Sequence, residues 1–157
     1  MIRSFVFGVT ALSLLTGCDP FGLDSTTEME VVGTDLHVSG VLTSETHGKF
    51  TLLFANYPEI NRLVLGEIEG STDDEANFPF YREVRRRGLG TYLKADSEVY
   101  SGGADLFIAG KTRLMERGAV IGVHSWSDGT RDAVDFPRSS PEHEMNRSYV
   151  EDMLGND

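Results

Sequence analysis

The sequence predicts an α/β domain with a mostly parallel sheet, and three observations predict it. Apolar runs of strand length recur at Leu63 to Ile68, Tyr92 to Ala95 and Val120 to Val123. Helical patterns near 78 to 87 and 102 to 109 separate them, and strand-helix-strand alternation implies parallel strands joined by crossover helices. The length of 157 residues, with 39% apolar and 25% charged side chains, suits one globular domain plus a targeting segment and leaves no room for a second substantial domain. Collagen-like and disordered chains are excluded by the same composition.

The chain opens with a segment that is not part of that domain. Arg3 supplies a positive start, and Phe5 to Leu15 is an apolar run interrupted only by Thr10 and Ser13, too short to span a bilayer as a helix. Leu15-Thr16-Gly17-Cys18 resembles the bacterial lipobox, in which the cysteine thiol receives a diacylglycerol before cleavage. Residues 1–17 are therefore expected to be a lipoprotein signal peptide, with Cys18 as the lipidated mature N-terminus. Residues 18–30 (Cys18 and DPFGLDSTTEME) read as a tether of about 20 Å mean reach, and residues 31–157 as the domain. The expected location is the bacterial cell envelope, on the periplasmic or extracellular side, with membrane lipid as the partner of Cys18.

Within the domain, Val31 to Thr43 has β-branched residues around Gly33 and Gly40, suited to a strand or hairpin. Lys49 to Asn56 is an apolar run that fits either a strand or a short helix. Arg62 to Ile68 is a strand that runs into Gly70-Ser71-Thr72-Asp73-Asp74, a turn rich in helix N-cap types. In Asn77 to Gly88, Tyr81 and Val84 share a face with Gly88 as C-cap. Arg85-Arg86-Arg87 reads as an outer charged face, and Pro79 is tolerable only near the first turn. Thr91 to Tyr100 is a strand, Ala104 to Gly110 a small-residue helix, and Ala119 to His124 a strand with a buried look. Glu142 to Leu154 can form a helix with Met145, Tyr149 and Met153 on one face.

Charge narrows the function. Lys plus Arg number 14 against 25 for Asp plus Glu, a formal net charge of -11, so nucleic acid is repelled and is not an expected partner. The single cysteine makes no internal disulfide, and no Cys/His cluster has zinc spacing. Glu142-His143-Glu144 invites a metal reading, but its side chains diverge on a helix, so neither a metal nor a cofactor is expected. Trp126 either walls a pocket or packs in the core.

Ser101-Gly102-Gly103 stands where a strand passes into a helix. That position puts a hydroxyl at the positive end of the helix dipole, and the glycines let backbone and substrate approach closely. Alone, the motif is better explained by plain helix capping. His124 closes the next strand, however, and consecutive parallel strands end on one edge, so a serine and its usual general base can meet there. The alternative is a histidine hydrogen-bonded to a neighbouring loop.

These residues carry a wider resemblance. Gly-Gly after Ser101, the helix ending Ala109-Gly110 and Ile121-Gly122-Val123-His124 resemble the Clp protease proteolytic subunit and its ClpP/crotonase superfamily relatives, above all exported ClpP-like proteins. So do Leu63-Val64-Leu65, the stretch Glu69 to Asn77, Arg86-Arg87-Gly88, His124-Ser125-Trp126, Asp135-Phe136-Pro137 and Pro141-Glu142-His143, so the likeness spans about residues 36 to 155. It implies a fold of ClpP/crotonase-like βαβ units and a serine hydrolase acting on peptides or esters, with Ser101 as nucleophile and His124 as base. Amides at Gly70, Ser71 and Gly102 would form the oxyanion hole. It also implies an orienting acid well beyond the histidine, whereas this chain stops at Asp157, which leaves three readings open: a C-terminally truncated, a degenerate or a short variant of the fold, without that acid. Asp128, Asp132 and Asp135 are the nearby substitutes. The assembly helices of Clp-type relatives are largely missing as well, so a monomer or weak oligomer is expected. The alternatives are a catalytically inactive scaffold or binding lipoprotein of the same fold and a crotonase-type acyl-CoA enzyme, which shares the fold and a backbone oxyanion hole but against which export argues, because CoA thioesters are cytoplasmic.

Overall fold

The computed structural model describes residues 26–127 and 129–155. The expected signal peptide, Cys18 and Asp128 lie outside the described residues. Chain direction is set first by a hairpin: β1 (Thr27–Val32) pairs antiparallel with β2 (Asp35–Leu42), from Thr27 opposite Gly40 to Val32 opposite Asp35. Gly33, at φ +64, supplies the left-handed turn between them. Every later strand is parallel to its neighbour. β3 (Arg62–Ser71) lies beside β2 and β4 (Gly90–Tyr100) beside β3. Two short strands share the far side of β4: β5 (Arg113–Met115) runs along its first half and β6 (Val120–Gly122) along its last.

Helices make the crossovers that parallel strands require. α1 (Thr46–Asn56) joins β2 to β3, α2 (Asp74–Arg86) joins β3 to β4, and α3 (Gly102–Ala109) leads from β4 to β5. α4 (Glu144–Leu154) follows two 3-10 turns, Ala133–Asp135 and Pro141–His143. One core joins these layers: Leu63, Leu65 and Ile68 of β3, Phe50 of α1, Tyr81 of α2 and Tyr149 of α4 are fully buried. Burial of such a side chain contributes roughly 1.5–3 kcal/mol. The mixed α/β architecture with a mostly parallel sheet is thus the one the sequence predicts, including the three strands and two helices that define it.

Several local expectations are corrected. β1 begins at Thr27, so four residues assigned to the tether belong to the sheet; its hydroxyl is drawn inward to Val41 O (2.7 Å) and Thr46 Oγ1. Of the two readings open for Lys49 to Asn56, the helix is the one the structure shows. α2 starts at Asp74, capped by Asp73 Oδ1 accepting from the Ala76 amide at 3.0 Å, which puts Pro79 inside the helix. Pro79 and Glu75, whose carbonyl loses its amide partner, are both exposed, so water can satisfy that group. Arg85 is not on an outer face: it donates to Ile108 O (2.8 Å) and Met153 O (2.6 Å), tying α2 to α3 and α4. Arg87 lies over the Phe54 ring at 4.2 Å. β6 is short and its apolar side chains Val120 and Ile121 are exposed, as is Val123 beyond it, because the strand lies at the margin of the sheet. In α4, Tyr149 and Met153 are buried but Met145 is exposed; β5 had no counterpart in the sequence reading.

Candidate active site

Three parallel strands end on one edge of the sheet, and each end delivers a residue singled out from the sequence. β3 ends in Gly70 and Ser71, β4 runs into Ser101, and β6 is followed by His124. The crevice beyond the carboxyl ends of parallel strands is where α/β folds bind ligands. Here it is a cavity of about 680 Å³ whose wall includes Gly70, Ser71, Ser101, His124, Trp126 and Met145. A smaller hollow of about 260 Å³ is lined by Ser101 and His124 together with Asp74, Asp105 and Trp126. Gly102 is buried beneath this wall.

Ser101 has an unusual backbone. It sits at φ +50, ψ -117, and among the described residues it is the one non-glycine with positive φ. A side chain in such a region costs of order 1–3 kcal/mol and persists only where the surroundings enforce it. The surroundings do: the Ser101 amide donates to Gly122 O at 2.9 Å, and its carbonyl accepts from Ala104 N (2.8 Å) and Asp105 N (3.1 Å). β6 thus holds the turn from one side while α3 starts from the other. The Ser101 hydroxyl does not cap α3 and makes no hydrogen bond among the described residues. Taken alone the motif reads first as a helix cap, and the structure corrects that reading, since the Ser101 side chain makes no cap hydrogen bond.

The glycines around it are needed for close approach. A Cβ on Gly102 would stand 2.5 Å from Ser71 Cβ, 2.8 Å from Tyr81 Oη and 3.1 Å from the Ser71 amide nitrogen. Gly70, at φ +143, abuts Ser101, with Cβ-to-Cβ and Cβ-to-Oγ separations that would be 3.4 and 3.9 Å. The backbones of Gly70-Ser71 and of Gly102 therefore flank the serine. The Gly102 amide belongs to the first turn of α3, where helical N–H groups lack intrahelical acceptors.

His124 is exposed, and its Nδ1 lies 2.7 Å from its neighbour Ser125 O. A carbonyl only accepts, so Nδ1 carries the proton in the neutral ring and Nε2 keeps its lone pair. Ser101 and His124 face the same hollows without a hydrogen bond between them. Two of the three acids suggested for orienting the histidine are committed elsewhere. Asp132 and Asp135 cap the 3-10 turn Ala133–Asp135 reciprocally, Asp135 Oδ2 accepting from the Asp132 amide at 3.0 Å. Among the described residues no carboxylate is hydrogen-bonded to His124.

The carboxyl that the sequence reading passed over is Asp105. It lies on α3 four residues beyond Ser101, and i to i+4 spacing places it on the same helix face. That spacing was the available signal. Burial, and secondly the Asp74 carboxyl, raise the Asp105 carboxyl to about 6, while nearby His124 pulls it down. Trp126 walls the cavity and also packs on Phe136, with ring centroids 5.1 Å apart. Its indole N–H donates to His143 Nδ1 at 3.3 Å, and His143 Nε2–H donates to Pro137 O at 3.1 Å. Both nitrogens of His143 are thus engaged in holding this loop.

No protein-family model matches the sequence, and no curated protein matches it. Solved structures do resemble the fold. The membrane-bound stomatin-specific protease 1510-N, a mutant in complex with a substrate peptide, matches with a TM-score of 0.50 at 14% identity, over 74% of this chain and 56% of its own. Methylmalonyl-CoA decarboxylase matches at 0.45 and 9% identity, over 62% and 47%. An enoyl-CoA hydratase structure from Geobacillus kaustophilus matches at 0.45 and 11%, over 82% and 56%. This chain spans about half the length of the solved chains it matches first. At these identities the likeness shows the fold alone: the chain has a mixed α/β fold with a mostly parallel sheet, like that of the stomatin-specific protease structure.

Proposed function

We propose that this protein is a serine hydrolase acting on peptide or ester bonds, with Ser101 as nucleophile and His124 as general base. The observation that carries the reading is the Ser101 backbone: a strained strand-to-helix turn that lifts an uncommitted hydroxyl into a cavity. His124 Nε2, unprotonated because Nδ1 donates to Ser125 O, takes the Ser101 proton as Oγ attacks the substrate carbonyl carbon. The amides of Gly102 and of Gly70 or Ser71 receive the oxyanion. The imidazolium then protonates the leaving amine or alcohol, and water hydrolyses the acyl-serine with the same base. A helix N-terminus beneath Ser101 favours the developing negative charge.

A second reading, an inactive scaffold of the same fold, is favoured by the lack of a carboxylate hydrogen bond to His124 among the described residues; loss of the acid from a serine triad costs about 10⁴-fold in the best-studied protease. Labelling by a serine-reactive fluorophosphonate separates the two. Labelling of the wild-type chain that disappears in Ser101→Ala and falls steeply in His124→Ala is expected, and a wild-type chain that takes no label supports the scaffold. The same enzyme is proposed to be held at the cell envelope through lipidated Cys18; none of the described helices is long and apolar enough to cross a membrane. Intact mass of membrane-extracted protein is expected to show a chain starting at Cys18 with added lipid, and a chain starting elsewhere or without lipid mass removes the anchor.

A further inference from the structure

We propose that Asp105 is the positioning acid of this site, its carboxylate balancing the charge that His124 acquires when it accepts the Ser101 proton. The proposal rests on the hydrolase reading above.

Four observations lead to it. Asp105 follows Ser101 by one helical turn on α3, and the two share a hollow of about 260 Å³ with His124, Asp74 and Trp126. Its carboxyl is half-buried yet makes no hydrogen bond or ion pair among the described residues. An uncompensated carboxylate in such surroundings is disfavoured unless a positive charge comes to meet it, and the imidazolium formed across the hollow is that charge. The helix that carries it is fixed: the Tyr149 hydroxyl donates to Asp105 O at 2.6 Å, and Gly103 packs so tightly that a Cβ there would stand 2.8 Å from Ile68 Cγ2. Finally, Asp132 and Asp135 are occupied by the 3-10 turn they cap.

The groups facing Asp105 define its ionisation. α2 contributes Asp74, whose Oδ1 is buried without a hydrogen-bond partner, and the buried hydroxyl of Tyr81. α4 contributes Tyr149, and the segment after β6 contributes His124. Asp74 and burial hold the proton on Asp105 until about pH 6. Above that pH the carboxylate forms and stands ready to meet a positive charge on His124. Ser125 O fixes the ring tautomer but carries no charge; Asp105 supplies the charge, so the two divide what one carboxylate does in a Ser-His-Asp triad.

The test is the His124 titration, followed by NMR of the imidazole nitrogens in the full chain, with His37 and His47 as internal controls. In Asp105→Asn the His124 pKa is expected to fall by about 0.5–1 unit, and Asp105→Glu should restore most of that shift. His37 and His47 should not move. In parallel, the fluorophosphonate labelling rate at pH 7.5 is expected to drop tenfold or more in Asp105→Asn and to recover in Asp105→Glu. An unchanged His124 pKa overturns the proposal whatever the labelling shows. Wild-type labelling that Asp105→Asn leaves intact overturns it while leaving the hydrolase reading standing. A wild-type chain that takes no label, but whose His124 pKa still depends on Asp105, overturns the hydrolase reading and with it the catalytic role of Asp105, leaving only the charge coupling between the two residues. Should Asp105→Asn disturb His37 and His47, Asp105→Ser is read in its place.

Discussion

The β3–α2–β4–α3 unit carries its functional groups on packed backbone, whereas the segment after β6 carries His124 and Trp126 on largely exposed turns. On the first side, Ser101 is held by amide and carbonyl hydrogen bonds from both flanks, Gly102 has no room for a methyl group, and Gly70 at φ +143 takes a backbone conformation that favours glycine. On the second, His124 is exposed and held by one bond to the adjacent carbonyl. The nucleophile is thus preorganised, while the base can change rotamer at small cost. A site that must admit substrate between two groups can fix one and leave the other adjustable; apo catalytic pairs are often loose for that reason.

The widest gap between the two sides should appear in glycine substitutions. Gly102→Ala forces a Cβ to 2.5 Å from Ser71 Cβ and 2.8 Å from Tyr81 Oη. It is expected to cost about 3 kcal/mol or more in urea unfolding and to abolish fluorophosphonate labelling. Gly129→Ala, in the loop, meets nothing within 4 Å but sits at φ +89, so its cost should stay near 1 kcal/mol from backbone strain and labelling should persist. Equal losses at the two positions would break the contrast.

The next effect depends on pH. Asp105 keeps its proton in the folded chain up to about pH 6, against an ordinary value of 3.8. Between those values the folded state binds more protons than the unfolded one, so stability falls as pH rises through the window of about 4 to 6 and stays lower above it. Two pKa units correspond to about 3 kcal/mol at most, and partial exposure of the side chain reduces this to about 1–2 kcal/mol. Asp105→Asn is therefore expected to match the wild type near pH 4 and to exceed its stability by that amount at pH 8. Urea midpoints at the two pH values check it; a variant less stable than wild type at pH 8 contradicts the buried, uncompensated carboxyl.

Legibility in the sequence divides along the same line. Leu63 to Ile68, Thr91 to Tyr100 and the helix after Ser101 announce themselves because burial fixes the pattern of their side chains. Val120 to Val123 is as apolar but lies at the margin of the sheet with its side chains exposed; a pattern of residue types does not state whether anything covers it. Pro79 inside α2 was unreadable for a related reason, since what tolerates it is the exposure of Glu75 and Pro79. Ser101 and His124 were legible as candidates from strand order alone. The backbone strain at Ser101 and the commitment of Asp132 and Asp135 to a local turn depend on dihedral angles and tertiary contacts that no spacing encodes. Asp105 was legible in principle by its i+4 spacing, but an aspartate in a helix is usually solvated, and its half-buried position is set by α2 and α4 packing around it.

The smallest expected effect isolates the strain itself. At φ +50, ψ -117, serine and alanine carry the same Cβ conflict and glycine carries none. Ser101→Ala removes a hydroxyl that has no hydrogen-bond partner among the described residues, so its stability should stay within about 0.5 kcal/mol of wild type. Ser101→Gly relieves roughly 1–3 kcal/mol of strain, offset by roughly 0.5–1 kcal/mol for the greater freedom of glycine in the unfolded chain. A net gain of about 1 kcal/mol over both wild type and Ser101→Ala is expected, read as a higher urea midpoint at unchanged slope. Both variants should lose labelling equally, because neither keeps Oγ. A Ser101→Gly chain no more stable than Ser101→Ala would mean that the turn is not strained, and the preorganised side of the cavity would then differ from the adjustable side in packing alone.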